Sequence, residues 1–290
     1  MQCPRDHLLI TGTSSGIGKA TLEGALARGA HVFAGQRGPA TDTEAVGDGL
    51  LTRVTLDVTS PQQIATAVDT INRHVGDRGL QGLANVAGLG VPGPLEVMPL
   101  SDLRMSFEVD VLGQVALTQP VIPLLRRARG RLVFVGSIID RVTVPFMGAL
   151  GASKSAIAAI SDTWRQELAP WDIHVALVEP GFISTGADEA TKARIDRLIA
   201  EMDDEQRTLY GQMFEEMTER GYRVQQSGSS PDGVAEVILH ALLDPHPKEH
   251  YLTGSKAHLA AFLARLPEGV QDRLKREAFG LPEPGSRQDA

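Results

Sequence analysis

The sequence predicts a doubly wound α/β domain on a mostly parallel sheet, and three observations predict it. Short β-branched runs alternate with amphipathic stretches through the first half of the chain, the pattern of consecutive βαβ units. The first of these runs leads directly into a glycine turn and then a helical stretch. The chain has 290 residues, 42% hydrophobic and 22% charged, enough to bury one substantial core.

Taken in order, residues 7–11 read as the first strand, 16–28 as a helix and 31–34 as the second strand. Further strands are expected at 52–56, 82–86, 130–135 and 174–178, each followed by turn residues and most by a helical stretch. Two long helices are expected at 101–127 and 148–168. From 188 to 227 the chain turns polar, Met-rich and helical in propensity, with Arg194, Leu198 and Met202 at helix spacing, and reads as an insertion that covers something. The domain is read as residues 1–280, with no internal repeat or linker. Residues 281–290, carrying Pro, Gly, Ser and Asp, read as a disordered tail.

Composition excludes some functions. The net charge is −8 and the acidic residues are dispersed, so no broad basic surface is available to a nucleic-acid backbone. The single cysteine, Cys3, cannot form an intramolecular disulfide; it reads as a spectator thiol and fits a reducing cytoplasm. No apolar run reaches the roughly eighteen residues that span a bilayer, and the first strand begins almost at once, so neither a span nor a signal peptide is expected. No metal site is expected.

The strongest local signal is Thr11-Gly12-Thr13-Ser14-Ser15-Gly16-Ile17-Gly18 between the first strand and first helix. Glycines there let the backbone approach a pyrophosphate, while the helix N-terminus offers unpaired N–H groups and partial positive charge. This T-G-x-x-x-G-x-G pattern resembles that of the short-chain dehydrogenase/reductase family, and four more segments resemble its signatures in order. They are Leu56-Asp57-Val58, Asn85-Val86-Ala87-Gly88 (an N-N-A-G with valine second), Ser153-Lys154 as the end of Y-x-x-S-K, and Glu179-Pro180-Gly181 followed by Thr185.

The resemblance runs from Leu8 to about Thr185. It implies a Rossmann-type fold with a helical substrate lid, and a homodimer or homotetramer built through the two long helices. It also implies a nicotinamide dinucleotide held by Gly12, Thr13, Ser14, Ser15, Gly16, Ile17 and Gly18, by Asp57, Val58, Asn85, Ala87 and Gly88, and by Lys154, Pro180, Gly181, Ile183 and Thr185. The second strand ends in Gly35-Gln36-Arg37. An acid there would bind the ribose 2′-hydroxyl and repel a 2′-phosphate; with Arg37 instead, NADP(H) is favoured over NAD(H).

In the family a tyrosine, its pKa lowered by a lysine, gives the proton, a serine holds the carbonyl oxygen and an asparagine supports a proton-relay water. Ser137 and Lys154 stand at the serine and lysine positions. Leu150 stands where the tyrosine belongs, four residues before Lys154, and Asp110 stands where the asparagine belongs. The tyrosines present, Tyr210, Tyr222 and Tyr251, are all far downstream. Three readings follow: an oxidoreductase with a substitute acid (Asp110, Asp140 or Tyr210); a redox-neutral cyclase, isomerase or lyase on the same scaffold; or a non-catalytic NADP(H)-binding regulator.

Residues 144–150 and 247–251 resemble the steroid and retinol dehydrogenase branch. With Phe182, Ile183, Met213, Phe214 and Met217 they imply a roomy apolar pocket for a lipophilic small molecule. The alternative is that these side chains are simply core.

Overall fold

The computed structural model describes residues 6–184 and 188–286. Cys3, Thr185 and residues 287–290 lie outside the described residues. Strand β1 (His7–Thr11) leads into α1 (Gly16–Ala27) and β2 (His31–Gln36), followed by β3 (Glu44–Val46), β4 (Gly49–Thr55) and α2 (Pro61–Val75). Next come β5 (Gly82–Asn85), α3 (Leu100–Phe107), α4 (Gly113–Ala128), β6 (Arg131–Val135), α5 (Gly148–Leu168) and β7 (His174–Pro180). The chain closes with α6 (Asp188–Glu201), α7 (Asp204–Gln206), α8 (Gln212–Gln226), α9 (Pro231–Leu243), β8 (His250–Thr253), α10 (Ala257–Leu263) and α11 (Glu268–Phe279). No described helix is long and apolar enough to cross a membrane.

The eight strands run β3-β4-β2-β1-β5-β6-β7-β8, all pairs parallel except β3 with β4. Central strands are buried on both sides, which is why they read as continuous apolar runs. Helices α2, α4 and α5 cover one face through Ile64, Ile71, Leu117, Val121, Leu125 and Ile157. Helices α1 and α9 cover the other through Ala25, Leu26, Val234, Ile238 and Leu239. Each fully buried aliphatic side chain contributes roughly 1.5–3 kcal/mol.

Local chemistry sets the helix starts. The Ser60 hydroxyl accepts the Gln63 N–H at 3.4 Å ahead of Pro61, and the Ser230 hydroxyl accepts the Asp232 N–H at 3.2 Å ahead of Pro231.

Two expectations are revised. The helix expected at 101–127 is α3 and α4 joined by a π-helical turn, Glu108–Leu112. The fourth strand begins at Gly49 rather than at residue 52, because Leu50 and Leu51 already pair with His31 and Val32 of β2 while Glu44–Val46 folds back on the same stretch as an antiparallel edge pair. Beyond α11, residues 281–286 are irregular and carry a turn bond from the Ser286 N–H to the Glu283 carbonyl at 3.1 Å.

Candidate functional site

Strand order reverses between β1 and β5, so a crevice opens at their carboxyl ends. The turn after β1 fills its floor. Gly12 and Gly16 have φ of +69° and +53°, left-handed values that favour glycine. A Cβ on Gly18 would stand 2.2 Å from the Gly12 carbonyl oxygen, and one on Gly12 would stand 3.0 Å from Ala87 Cα. Turn, helix and the segment after β5 therefore approach backbone to backbone, and the first N–H groups of α1 have no acceptor within the helix.

Thr11, which the sequence reading left out of the site, fixes this approach. Its Oγ1 accepts the N–H groups of Val86 and Ala87, each at 2.9 Å. Gln114 adds a bond from Nε2 to the Ala87 carbonyl at 3.2 Å. Thr13 is buried and donates to the Gly35 carbonyl at 3.2 Å, whereas Ser14 and Ser15 are exposed and Ser15 makes no side-chain cap bond. The Ile17 side chain packs against the α1–α9 core. Asn85 is fully buried and donates to Thr118 Oγ1 at 3.0 Å, and its own Oδ1 has no partner.

At the end of β2, Arg37 is exposed. Asp57 accepts the Thr59 hydroxyl at 2.7 Å and the Thr59 N–H at 2.9 Å; these bonds, helped by the charge of Arg37, hold its carboxyl below the ordinary carboxylate range. The Val58 side chain lies in the core, where a Cβ on Gly113 would come within 2.8 Å of it.

Lys154 and Asp110 meet beneath Gly88. Lys154 Nζ donates to the Val135 carbonyl at 3.1 Å and lies 3.8 Å from Asp110 Oδ1, with Asp110 fully buried. Asp110 Oδ1 also accepts the Leu89 N–H at 2.8 Å, and Oδ2 accepts the Ser153 hydroxyl at 3.0 Å. A Cβ on Gly88 would stand 3.1 Å from Asp110 Oδ1 and 3.3 Å from Lys154 Nζ. Donors surround Asp110, an arrangement suited to an acceptor that orients Lys154 rather than to an acid.

Leu150 lies one helical turn before Lys154 and is half-buried. Ser137 follows β6, half-buried, its Oγ 3.5 Å from the Pro180 carbonyl. The Gly181 N–H is taken by Thr253, and the Ile183 side chain packs into core, so only backbone is left there for a cofactor.

The segment expected at 188–227 forms α6–α8 with a small core of its own, Ile195, Leu198, Met202, Phe214 and Met217. Of the two readings of Phe214 and Met217, ligand pocket or core, the second describes them: both are buried in the cluster that this segment forms. The segment grips α3 and the loops leaving the carboxyl ends of β5 and β6. Arg194 and Arg197 reach Asp102 at 3.5 and 3.4 Å, the Tyr210 hydroxyl donates to Glu96, and Phe146, at φ +62°, sets its ring edge-on to Phe214 at 5.6 Å. The Glu96 bond and charge raise the Tyr210 pKa, which makes it a latch and a poor acid. A cavity of about 820 Å³ lies between α6 and α8, lined by Ile195, Ile199, Arg207 and Tyr222 among others, and includes none of the predicted site residues.

Phe146→Ala is expected to speed limited proteolysis within 188–227 several-fold with circular dichroism unchanged. An unchanged cleavage rate would show that the ring does not hold this segment in place.

Residues 6–196 match the short chain dehydrogenase family. Mouse retinol dehydrogenase 16 is 34% identical over 277 residues, covering 92% of this chain and 87% of that one. Human 17-beta-hydroxysteroid dehydrogenase type 6 is 33% identical over 288 residues, covering 95% and 89%. The crystal structure of a short chain dehydrogenase from Burkholderia cenocepacia in complex with NADP superposes with a TM-score of 0.70 at 25% identity, covering 94% of this chain and 99% of that one.

Proposed function

This chain belongs to the short-chain dehydrogenase family, and from that premise we propose that it is an NADP(H)-dependent oxidoreductase for a lipophilic carbonyl or alcohol compound, working without the tyrosine acid. One observation carries the reading: the Lys154 ammonium is held on the carbonyl of Val135, two residues before Ser137, at the strand ends beside the glycine turn. The close backbone approach at Gly12 and Gly18 fits a dinucleotide, which when bound supplies the hydride.

Each residue then has a task. Backbone N–H groups from Gly12 to Gly18 hold the pyrophosphate, Arg37 the 2′-phosphate, and Lys154, oriented by Asp110, the nicotinamide ribose. Ser137 would donate a hydrogen bond to the substrate oxygen and stabilise the alkoxide charge that develops there, the proton that completes the alcohol coming from water. With leucine at 150 no phenol shares that charge, so ordinary ketone reduction is slow. A lipophilic substrate is inferred from the retinol and hydroxysteroid dehydrogenases that the chain resembles. A homo-oligomer, inferred with the family, places Leu112, 54% exposed beside α4, in the subunit interface.

The test is loss of NADPH absorbance on adding a retinoid aldehyde or a steroid ketone. NADPH bound tightly but never oxidised by such compounds would overturn the oxidoreductase reading in favour of redox-neutral or regulatory use. Cofactor choice has its own check: Arg37→Glu is expected to reverse a preference for NADPH over NADH in fluorescence titrations. Equal wild-type dissociation constants would remove Arg37 from the site.

A further inference from the structure

Behind Ser137 lies a second ionisable group that the proposed mechanism leaves idle. Asp140 sits on the loop between β6 and α5. A Cβ on Gly136 would stand 3.3 Å from its Oδ2, so its carboxyl is tucked against the residue between Val135, which holds Lys154, and Ser137. Both carboxyl oxygens are buried and neither has a hydrogen-bond partner. Its carbonyl accepts the Ser155 hydroxyl at 3.4 Å, tying the loop to α5 one residue beyond Lys154.

The groups around it decide its charge. From β7, Glu179 faces it and is 1% exposed. Glu179 is already satisfied: Arg141, next to Asp140 in the loop, grips both its oxygens, with Nη2 to Oε2 at 2.8 Å, and His250 of β8 lies 3.2 Å from Oε2. His250 in turn meets Asp162 of α5 at 3.1 Å, and Asp162 meets Arg165. Two cations favour its charged form, Arg141 beside it and, more weakly, Lys154 of α5. Arg141 spends its hydrogen bonds on Glu179 and Lys154 its own on Val135, so Asp140 would ionise beside a carboxylate with no donor bonded to it.

We propose that Asp140 is a positioning residue that keeps its proton in its buried, unpartnered setting and, while neutral, leaves the Lys154 ammonium to serve the bound dinucleotide. The proposal rests on the dinucleotide reading above. Burial first, and Glu179 second, push the Asp140 carboxyl up to about 7, so its charge changes near neutrality. Above that pH a second anion competes with the ribose for Lys154 and adds negative charge near an anionic ligand. By reciprocity, NADPH binding near pH 7 takes up a proton.

Asp140 ionises at about 7 when folded against an ordinary 3.8, so its contribution to stability is full below 3.8 and is lost as pH rises to about 7.

The experiment is NADPH fluorescence titration of the full chain from about pH 6 to 9, with wild type and Asp140→Asn side by side. The wild-type dissociation constant is expected to rise by up to about tenfold through an inflection near 7, the scale of a one-unit coupling. The variant, neutral throughout, is expected to keep the wild type's low-pH affinity across the range. Carboxyl ¹³C NMR of the aspartate-labelled wild type without NADPH is the second measurement, and needs no variant to fold: one aspartate titrating near 7 supports the assignment. All aspartates titrating below about 5, or a pH step that persists in Asp140→Asn, overturns it. Tight wild-type binding that ignores pH sinks the Asp140 coupling alone, whereas no NADPH binding at any pH sinks the dinucleotide reading and the coupling with it.

Discussion

Leu150→Tyr is expected to raise NADPH-dependent carbonyl reduction by at least about tenfold, toward the 10² to 10⁴ that a positioned general acid contributes. Leu150 is one turn from Lys154 on α5, the separation at which two side chains share a helix face, and it is only half-buried. Ser137 and Lys154 remain in place, so the substitution adds the one group missing from the constellation. Asp110 works against the gain. Its carboxylate, 3.8 Å from Lys154, offsets the ammonium that would lower a phenol's pKa, so Leu150→Tyr with Asp110→Asn is expected to exceed the single variant. Initial rates under saturating NADPH decide the matter. A wild type already turning over at about 1 to 10³ per second, with no gain from tyrosine, would mean that another residue delivers the proton. If the native reaction is redox-neutral, the phenol is expected to impair it by filling space that leucine leaves apolar.

Gly18→Ala is expected to abolish NADPH binding, with affinity falling by more than about a hundredfold, equivalent to roughly 3 kcal/mol. The added Cβ would stand 2.2 Å from the Gly12 carbonyl oxygen and 3.1 Å from that of Thr11. These are backbone atoms, so relief requires moving the turn or the start of α1 away from β1. Either movement opens the cradle that a pyrophosphate would occupy. Thermal unfolding is expected to begin at a lower temperature as well, since α1 packs on α9 through Leu26 and Ala25. Full NADPH affinity in a folded Gly18→Ala protein would show that the cofactor does not use this turn.

The central strands were legible because burial on both faces makes them continuous apolar runs, and β1, β2, β5, β6 and β7 lie within a residue or two of where periodicity puts them. Strand β3 was not. Its three exposed residues carry no alternating pattern and owe their conformation to pairing with β4 across Gly47 and Asp48. The π-helical turn was equally hidden, because one added residue scarcely disturbs the apolar spacing on either side.

The glycine turn was visible in sequence, its geometry being the reason for its glycines. Thr11 was overlooked although it stood inside that motif; a polar residue ending a buried strand was the available signal. Sequence left Phe214 and Met217 open between pocket and core because apolar helix spacing looks the same whether a side chain faces a ligand or the core of α6–α8. The surroundings of Asp140 could not be read at all. Arg141 is its neighbour in sequence, and only the fold brings Glu179 from the next strand to take that arginine.

The π-helical turn has a further consequence. A helix that gains one residue without gaining a turn is rotated by about 100° from there onward relative to an unbroken helix. Before the turn, Ser106 faces Ser153 of α5; after it, Leu117, Val121 and Leu125 face the sheet, and Asp110 lies at the point where the phase changes. The rod from Leu100 to Ala128 thus has two independent rotational settings, one matched to the site and one to the core. Substitutions in α3 can therefore retune the approach to Lys154 while the sheet-facing register of α4 stays as it is, and deletion of a single residue at the bulge would force both halves into one phase that cannot satisfy both.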